Sequence, residues 1–478
     1  MFGGCGSSET DSCADGSCKG TVDAGVDTSA HPADGGPHDG DKSETAAPEG
    51  CLTPNEPLKY PEKCLVDSFA SYVSSTGDDT NTGTRAKPFR TVQHALSRPA
   101  LRIVVCEGTY VESLEIRRDV ALFSAVDCGF AKAGGRAKIV AVKSEFAVKI
   151  GKPANDVRVV DFDVEARDGT AVSANSVGIL VDDVAYVRLT GTSVRAKVGF
   201  DGSPGASGAT GVVSNLDAIG GTRNGYPATM DTTPGPAKVC LCTVGGLTAG
   251  GAGGAVAGDG QAGAPSLGAT GMGGTGNVVC NPAGAGGDGA AGASGDPAET
   301  ADTVGRIEGG TWKPSAGLSG ADGKTGQGGG GGGGRNATNA GGGGGCGGCG
   351  GTGGKGGGGG GASIALLTVN SSVALERSSL VGGIGGTGGL GGTGGTPGPF
   401  GGIGMGTCSG GEGGAGGAGG AGGGGAGGIA YAIVYKGTKP SRTATTLTPG
   451  MAGKSGANGA GVPEHGPAGT AGEELLVP

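Results

Sequence analysis

Glycine at every third position is the feature that most limits what this chain can fold into. Of its 118 glycines, 97 lie after residue 200, and from Gly383 to Gly428 fifteen of sixteen third positions are glycine, Thr407 being the exception. Glycine has no side chain to bury and loses more backbone entropy on folding than other residues. A strict threefold period therefore indicates backbones packed too closely for a Cβ atom. Such packing is typical of a repetitive, extended protein and not of an enzyme with a deep pocket.

Three structures compete for the tract 382–428. Collagen needs Pro at about 15–20%, and the tract contains only Pro397 and Pro399. A flexible linker fits the composition but does not need an exact period. A bundle of polyglycine II helices, left-handed with three residues per turn, does need it. We predict this third structure, with residues such as Ile384 and Leu390 pointing outward.

The first fifty residues have the composition of a tether. Ten acidic residues against Lys19 and Lys42 give the segment a charge of −8, out of −9 for the whole chain. No aromatic residue follows Phe2 in this segment, so residues 1–50 cannot bury a core and are expected to be disordered and self-repelling. The chain has no basic patch, so we expect no nucleic-acid partner.

The start of the chain resembles the end of a bacterial lipoprotein signal. Gly3 and Gly4 precede Cys5, the residue that would carry the lipid, but the apolar region that should come first is absent. Either the start codon is assigned too far downstream or the match is accidental, and we adopt the first explanation. Because no stretch of about 20 apolar residues occurs, we expect membrane attachment only through this lipid.

The cysteine count predicts an exported, oxidised protein. Thirteen cysteines are many for a cytosolic chain, and with Cys5 lipidated an even number remains for disulfides. The disulfide candidates bracket a Pro-rich segment and a strand-rich segment; they are Cys51, Cys64, Cys106 and Cys128. Cys346 and Cys349 have the spacing of a zinc or redox pair, but no second such pair or histidine lies nearby. We expect a local disulfide or free thiols there.

Residues 51–200 predict an all-β solenoid with a cap. Pro88 precedes a short amphipathic helix with Val92, Ala95 and Leu96 on one face, which would cover the open end of a stack of β-coils. Short apolar runs separated by turn signals follow and predict strands; they are 101–106, 120–125, 138–142, 147–150, 157–162, 178–181 and 184–189.

An internal match indicates that the coils return later in the chain. Val187-Arg188-Leu189 aligns with Val373-Ala374-Leu375, 186 residues further on, and Ser193-Val194 aligns with Ser379-Leu380. Residues 201–478 are therefore predicted to be glycine-rich excursions from one solenoid. The excursions would be interleaved with coils near 363–385 and 428–436.

The segment 71–116 resembles the N-terminal region of right-handed parallel β-helix proteins of the pectin-lyase-like superfamily. The resemblance rests on Tyr72-Val73-Ser74, Gly77-Asp78-Asp79, Pro88-Phe89, Thr91-Val92-Gln93, Ala95-Leu96 and Gly108-Thr109-Tyr110. With its Gly-Gly-X tracts the chain also resembles the glycine-rich PGRS-type β-helix lipoproteins of myxobacteria, in which cysteines recur at the positions of Cys106 and Cys128. The resemblance implies a secreted, surface-anchored protein with a right-handed β-helix. Other members of the superfamily are polysaccharide lyases and hydrolases, but a fold does not carry function over.

An enzyme of that kind would need carboxylates that converge on one face of the solenoid. Asp161 and Asp163 are two residues apart and are expected on one strand face. The remaining candidates are the carboxylates expected one coil later and two assisting arginines; they are Asp182, Asp183, Arg158 and Arg188. The alternative, which we favour, is that these are ordinary carboxylates on the solvent side of strands.

We therefore expect a non-enzymatic surface lipoprotein that displays a glycine-rich β-helix for adhesion, matrix formation or shielding. Its partners would be polysaccharides or proteins of a cell surface or matrix. We expect no cofactor and no metal, because the four histidines, His31, His38, His94 and His465, form no ligand pair. A polysaccharide lyase or glycoside hydrolase on the same fold is the alternative, and ice or surface binding by a polyglycine slab is a third.

Overall fold

The computed structural model describes residues 47–215, 223–229, 232–299, 301–336, 339–461 and 466–478. Residues 1–46, with Cys5, His31 and His38, lie outside the described residues, as does His465. The predictions of a lipid on Cys5 and of an acidic tether over 1–50 therefore rest on the sequence. None of the helices in the described ranges is long and apolar enough to span a bilayer.

Short strands dominate the described chain. The helical elements are a 3-10 turn at Pro57–Lys59, α1 (Pro61–Cys64), α2 (Val92–Leu96) and a π-type turn at Cys280–Gly284. The strands, in chain order, are β1 (Ser71–Val73), β2 (Arg102–Cys106), β3 (Gly108–Tyr110), β4 (Leu114–Ile116), β5 (Val120–Val126), β6 (Ala137–Val140), β7 (Phe146–Gly151), β8 (Asp156–Val160), β9 (Asp163–Glu165), β10 (Ser176–Asp182), β11 (Tyr186–Thr190), β12 (Ser193–Arg195), β13 (Lys238–Leu241), β14 (Leu247–Gly250), β15 (Gly305–Glu308), β16 (Thr311–Pro314), β17 (Ser363–Val369), β18 (Val373–Glu376), β19 (Ser379–Val381), β20 (Ala430–Lys436), β21 (Ser441–Thr443), β22 (Thr446–Thr448) and β23 (Ala471–Leu476).

Three parallel sheets wind around one core. The first sheet has the order β1-β2-β5-β8-β11-β18-β21, the second β22-β19-β12-β9-β6-β3, and the third β23-β20-β17-β10-β7-β4. Each coil passes through one strand of each sheet, as in β8, β9 and β10. The chain is thus an all-β protein with the parallel β-helix that the sequence predicts.

Alternation along each strand builds this core. In β8, Val157 and Val159 are buried, whereas Arg158 between them is half-buried on the outer face. The cap is α2, in which the three predicted residues are buried and the hydroxyl of Thr91 accepts a hydrogen bond from the His94 amide at 3.2 Å. The predicted cap helix is confirmed, and it covers one end of the interior cluster.

The glycine-rich segments leave the solenoid between a second-sheet strand and the next third-sheet strand. They are 196–362, 382–429 and 449–470. Because the first of them is so long, Val187 pairs with Val373 and Ser193 with Ser379 in adjacent coils, an offset of 186 residues. This is the offset that the internal sequence match predicts.

A glycine-rich helix lies at the centre of the excursions. The backbone amides of 326–334 donate in rotation to carbonyls of 342–348, 284–290 and 258–264, at 2.8–3.1 Å. Carbonyls of the same helix accept at 2.8 Å from neighbours such as Gly251, Gly274 and Gly411. Six neighbouring segments and a period of three are the arrangement of polyglycine II. The predicted ordered glycine lattice is therefore observed.

The central helix has neighbouring segments on every side, which explains its run of seven glycines from 328 to 334. A Cβ on Gly331 would lie 1.9 Å from the carbonyl oxygen of Ala252, far inside van der Waals contact. At the lattice surface one position in three is free of neighbours, and there Ile384 and Leu390 are 43% and 57% exposed. The Gly-Gly-X pattern therefore marks helices at the edge of the lattice, and continuous glycine marks its interior.

The tract 382–428 contains two antiparallel helices. Gly410 donates to the carbonyl of Gly404 at 3.1 Å and Gly413 to that of Gly401 at 2.8 Å, so the chain reverses between them. Thr407, the one break in the glycine period, lies at this reversal. A residue in a turn has no neighbouring helix that excludes a Cβ.

All ten cysteines of the described residues form disulfides. The four candidates pair as Cys51–Cys64 and Cys106–Cys128. The lattice contains three further disulfides, which are Cys240–Cys346, Cys242–Cys349 and Cys280–Cys408. The expectation of a local disulfide or free thiols at Cys346 and Cys349 is wrong. Residues three apart in polyglycine II share a face, and so do residues two apart in an extended chain. Cys346 and Cys349 therefore meet Cys240 of β13 and Cys242, which directly follows that strand.

The outer face of the third sheet is apolar and covered. The β15–β16 hairpin places Trp312 on it, with 2% of that residue exposed, in a cluster with Leu180, Leu367 and Tyr431. These aromatic residues are packing residues and do not form a sugar-stacking surface. Polar side chains instead gather on the outer face of the first sheet.

Candidate functional site

A groove of about 380 Å³ crosses the outer face of the first sheet. One wall is the segment 55–59, which we name the N-terminal strap. The floor and the far wall come from four neighbouring strands and the turns that follow them; their residues are Phe123, Ser124, Arg158, Val160, Asp161, Arg188, Thr190, Glu376 and Arg377. The volume lies within the range of about 300–1,000 Å³ that is usual for ligand sites.

Local chemistry holds the strap over the sheet. The Cys51–Cys64 disulfide closes the loop that contains the strap. Leu58 of the strap packs against the apolar cluster that includes Phe123. Lys59 forms an ion pair with Glu56 within the strap. The strap is therefore anchored on both sides of its crossing.

Two arginines lie side by side at the centre of the groove. Arg158 of β8 and Arg188 of β11 are paired in register, with alanine at the next position on either side, Ala121 and Ala374. Neighbouring strands are about 4.8 Å apart, and like charges directly opposite each other repel. The short alanine side chains leave the space beside the two guanidinium groups open.

The positive charge of Arg188 is compensated by neighbouring groups. Its guanidinium donates hydrogen bonds to the hydroxyl of Tyr186 at 2.7 and 3.1 Å and lies 3.8 Å from a carboxylate oxygen of Glu376. Burial alone would lower the pKa of Arg188, but the bonds to Tyr186 and the charge of Glu376 outweigh it and raise that pKa. Arg188 therefore stays charged and already has a partner.

Asp161 lies at the edge of the groove in a turn. Its φ of 60° belongs to the left-handed region, and Gly191, Arg377 and Ala444 have φ of 61°, 48° and 50° where later coils turn from the first sheet to the second. Asp is among the residues that tolerate this conformation. Burial raises the pKa of the Asp161 carboxyl, although Arg136 and Arg377 act in the opposite direction.

The prediction that Asp161 and Asp163 share a strand face is wrong. The predicted strand 157–162 ends at Val160, and the left-handed turn at Asp161 sends the chain to the second sheet, where Asp163 begins β9. Arg136 lies near both, 3.4 Å from Asp163 and 4.0 Å from Asp161. The two carboxylates share a cation but not a face.

Asp182 and Asp183 lie at another corner, between the third and first sheets. They line a separate cleft of about 280 Å³, where Lys152 forms an ion pair with Asp183. Asp183 also has a positive φ, 57°, and Asn370 and Gly437 occupy the matching turn in later coils. The four aspartates therefore do not converge, because two of them are turn residues at different corners.

No metal site is evident in the part of the chain that the structure describes, since no group of three or more His, Cys, Asp and Glu residues is placed to hold an ion. His94 contacts the Arg98 guanidinium at 2.9 Å and packs on Phe89. Its surroundings are those of a structural residue in the cap.

Sequence reasoning missed Glu376, Arg377 and the strap. The 186-residue match includes Val373-Ala374-Leu375, so the two residues that follow could have been placed beside Thr190 and Gly191. No sequence signal predicts where the strap lies, because its position depends on the packing of Leu58 against residues that are distant in sequence, such as Phe123.

Comparison with known proteins gives short matches. A family described as a protein of unknown function, DUF1565, matches residues 75–121, which contain the cap helix and the first coil. An uncharacterized protein of Bacillus subtilis, YwoF, is 46% identical over 48 residues, a tenth of each chain. The pectin methylesterase PemA of Erwinia chrysanthemi overlaps in structure with 27% of this chain and 43% of its own, at 18% identity and a TM-score of 0.20.

Proposed function

We propose that the protein is a non-enzymatic, exported surface protein, tethered through a lipid on Cys5, whose glycine lattice forms a rigid body for adhesion or matrix formation. The observation that supports this most strongly is the disulfide-linked lattice. Disulfides persist in oxidising compartments and are rare in the cytosol. The type of protein it resembles is the glycine-rich β-helix lipoprotein of myxobacteria.

The rigidity follows from the lattice hydrogen bonds. Each turn of the central helix 326–334 is bonded to three segments through its amides. A flexible linker would leave these groups to water, whereas the lattice bonds join segments that lie far apart in sequence. Such a body presents fixed rows of outward side chains, which suits contact with an extended polymer or surface.

Labelling on intact cells tests the proposal. A membrane-impermeant maleimide should label the ten cysteines of residues 51–408 only after reduction, and external protease should remove the protein from intact cells. Cys5→Ala should release it from the cell envelope. Thiols that react without reduction, in a protein that protease reaches only after lysis, would contradict export.

A polysaccharide lyase or glycoside hydrolase is the second candidate. It is favoured by Asp161, a carboxyl whose pKa is raised by burial at the edge of the arginine-lined groove. Under our proposal, purified oxidised protein releases no product from acidic or neutral polysaccharides. Turnover that disappears in the Asp161→Asn, Asp163→Asn double variant would replace the structural function with the enzymatic one.

A further inference from the structure

We infer that the groove between the N-terminal strap and the first sheet binds an anionic sugar residue of an extracellular polysaccharide, with Arg158 as the group that receives the negative charge. This inference rests on the proposed function, because only an exported protein would meet an extracellular polysaccharide. It deepens that function by naming the class of partner. The site is on the first sheet, away from the covered face of the third.

Charge compensation in the groove is uneven, and this points to Arg158. Arg188 has Tyr186 and Glu376 as partners, and the charge of Arg377 acts on Asp161. Arg158 forms no hydrogen bond or ion pair with any other described residue, although it lies half-buried in register with Arg188. An anion bound here would relieve the repulsion between the two guanidinium groups.

The other groups in the groove fit a sugar better than a bare anion. A guanidinium offers a planar pair of donors that matches a carboxylate or sulfate. Around it lie the amide of Asn55, the hydroxyl of Thr190 and the carboxylates of Asp161 and Glu376, which can pair with sugar hydroxyls, while Val160 supplies apolar surface. The acidic groups also disfavour a densely charged ligand, so we expect one negative charge for each bound sugar.

Isothermal titration of the full-length oxidised protein tests the inference with three probes. These are a hyaluronan tetrasaccharide, which carries carboxylates, a sulfated dextran oligosaccharide, and neutral maltotetraose. We expect binding of at least one acidic probe and none of the neutral probe. The stronger of the two acidic probes identifies the anionic group. Equal binding of maltotetraose, or no binding of any probe at millimolar concentration, overturns the inference while leaving the localisation experiment unaffected.

Variants with opposite expected effects complete the test. Arg158→Gln should weaken binding of the acidic probe at least about tenfold, because it removes a charged hydrogen-bonding partner. Arg195→Gln makes the same charge change at an exposed position of β12, outside the groove, and should leave binding unchanged.

Glu376→Gln should instead strengthen binding severalfold, because it removes a competing carboxylate and frees Arg188. A purely structural defect in the groove would not raise affinity. Equal losses in the Arg158→Gln and Arg195→Gln variants, or weaker binding by Glu376→Gln, would overturn the assignment of the site.

Discussion

Replacing Gly331 by alanine is expected to destabilise the glycine lattice by about 3 kcal/mol or more, since overpacking of a close-packed interior costs about 1–3 kcal/mol and the neighbour of this residue is rigid backbone. The new Cβ would lie 1.9 Å from the carbonyl oxygen of Ala252 and 2.8 Å from the amide nitrogen of Gly253. Neither atom can move without straining a hydrogen bond to a neighbouring segment, because the Ala252 carbonyl accepts from the Gln261 amide and the Gly253 amide donates to the Gly235 carbonyl, both at 2.8 Å. Chemical denaturation measures the loss, followed by the fluorescence of the single tryptophan, Trp312, and by circular dichroism.

Gly402→Ala is the matched control for this substitution. Its Cβ would meet no backbone atom at close range; the nearest atom, 3.3 Å away, is the side-chain oxygen of Asn224. We therefore expect a change within about 0.5 kcal/mol, as for most surface substitutions. Similar losses in both variants, or no loss in Gly331→Ala, would mean that the interior of the lattice is not close-packed.

Removing both disulfides that join Cys240 and Cys242 to the lattice is expected to reduce the free energy of unfolding by far more than the sum of the two single removals. Cys240–Cys346 and Cys242–Cys349 close loops of 106 and 107 residues. Either one alone keeps the long loop closed, so the chain-entropy estimate gives about 2 kcal/mol for each single removal and about 7 kcal/mol for both. Alanine is the replacement of choice because all four cysteines are buried.

Denaturant midpoints of the two single-disulfide variants and of the variant lacking both measure this effect. The single variants should fold and the variant lacking both should be strongly destabilised or fail to fold. A variant lacking both that loses no more than the sum of the two single losses would show that the bonds do not act on one shared loop.

The threefold glycine period and the alternating strands made much of the fold predictable, because both reflect local geometry. A period of three has few structural explanations, and an apolar residue at every second position places Val157 and Val159 inside. The 186-residue match even indicated the register between coils. What the period could not show is which segments become neighbours, or that the chain reverses around Thr407.

The candidate site was less predictable, because it depends on where the corners fall. A spacing of two residues placed Asp161 and Asp163 on one face only if the strand continued through Asp161, and the left-handed turn at that residue ends it. The cysteines show the same effect at longer range. Cys346 and Cys349 suggested a local pair, but their spacing of three matches one turn of polyglycine II and directs both sulfurs to Cys240 and Cys242.

Hydrogen exchange of the amides in 326–334 tests the central claim, an ordered glycine lattice, most directly. These amides donate to three different segments at 2.8–3.1 Å, so they should be protected as strongly as the amides of β10 and β17 in the core of the third sheet. Protection of that order would establish the lattice in solution. Exchange at the rate of an unstructured chain, with the strands still protected, would show that the glycine-rich segments are flexible linkers and would contradict an ordered lattice.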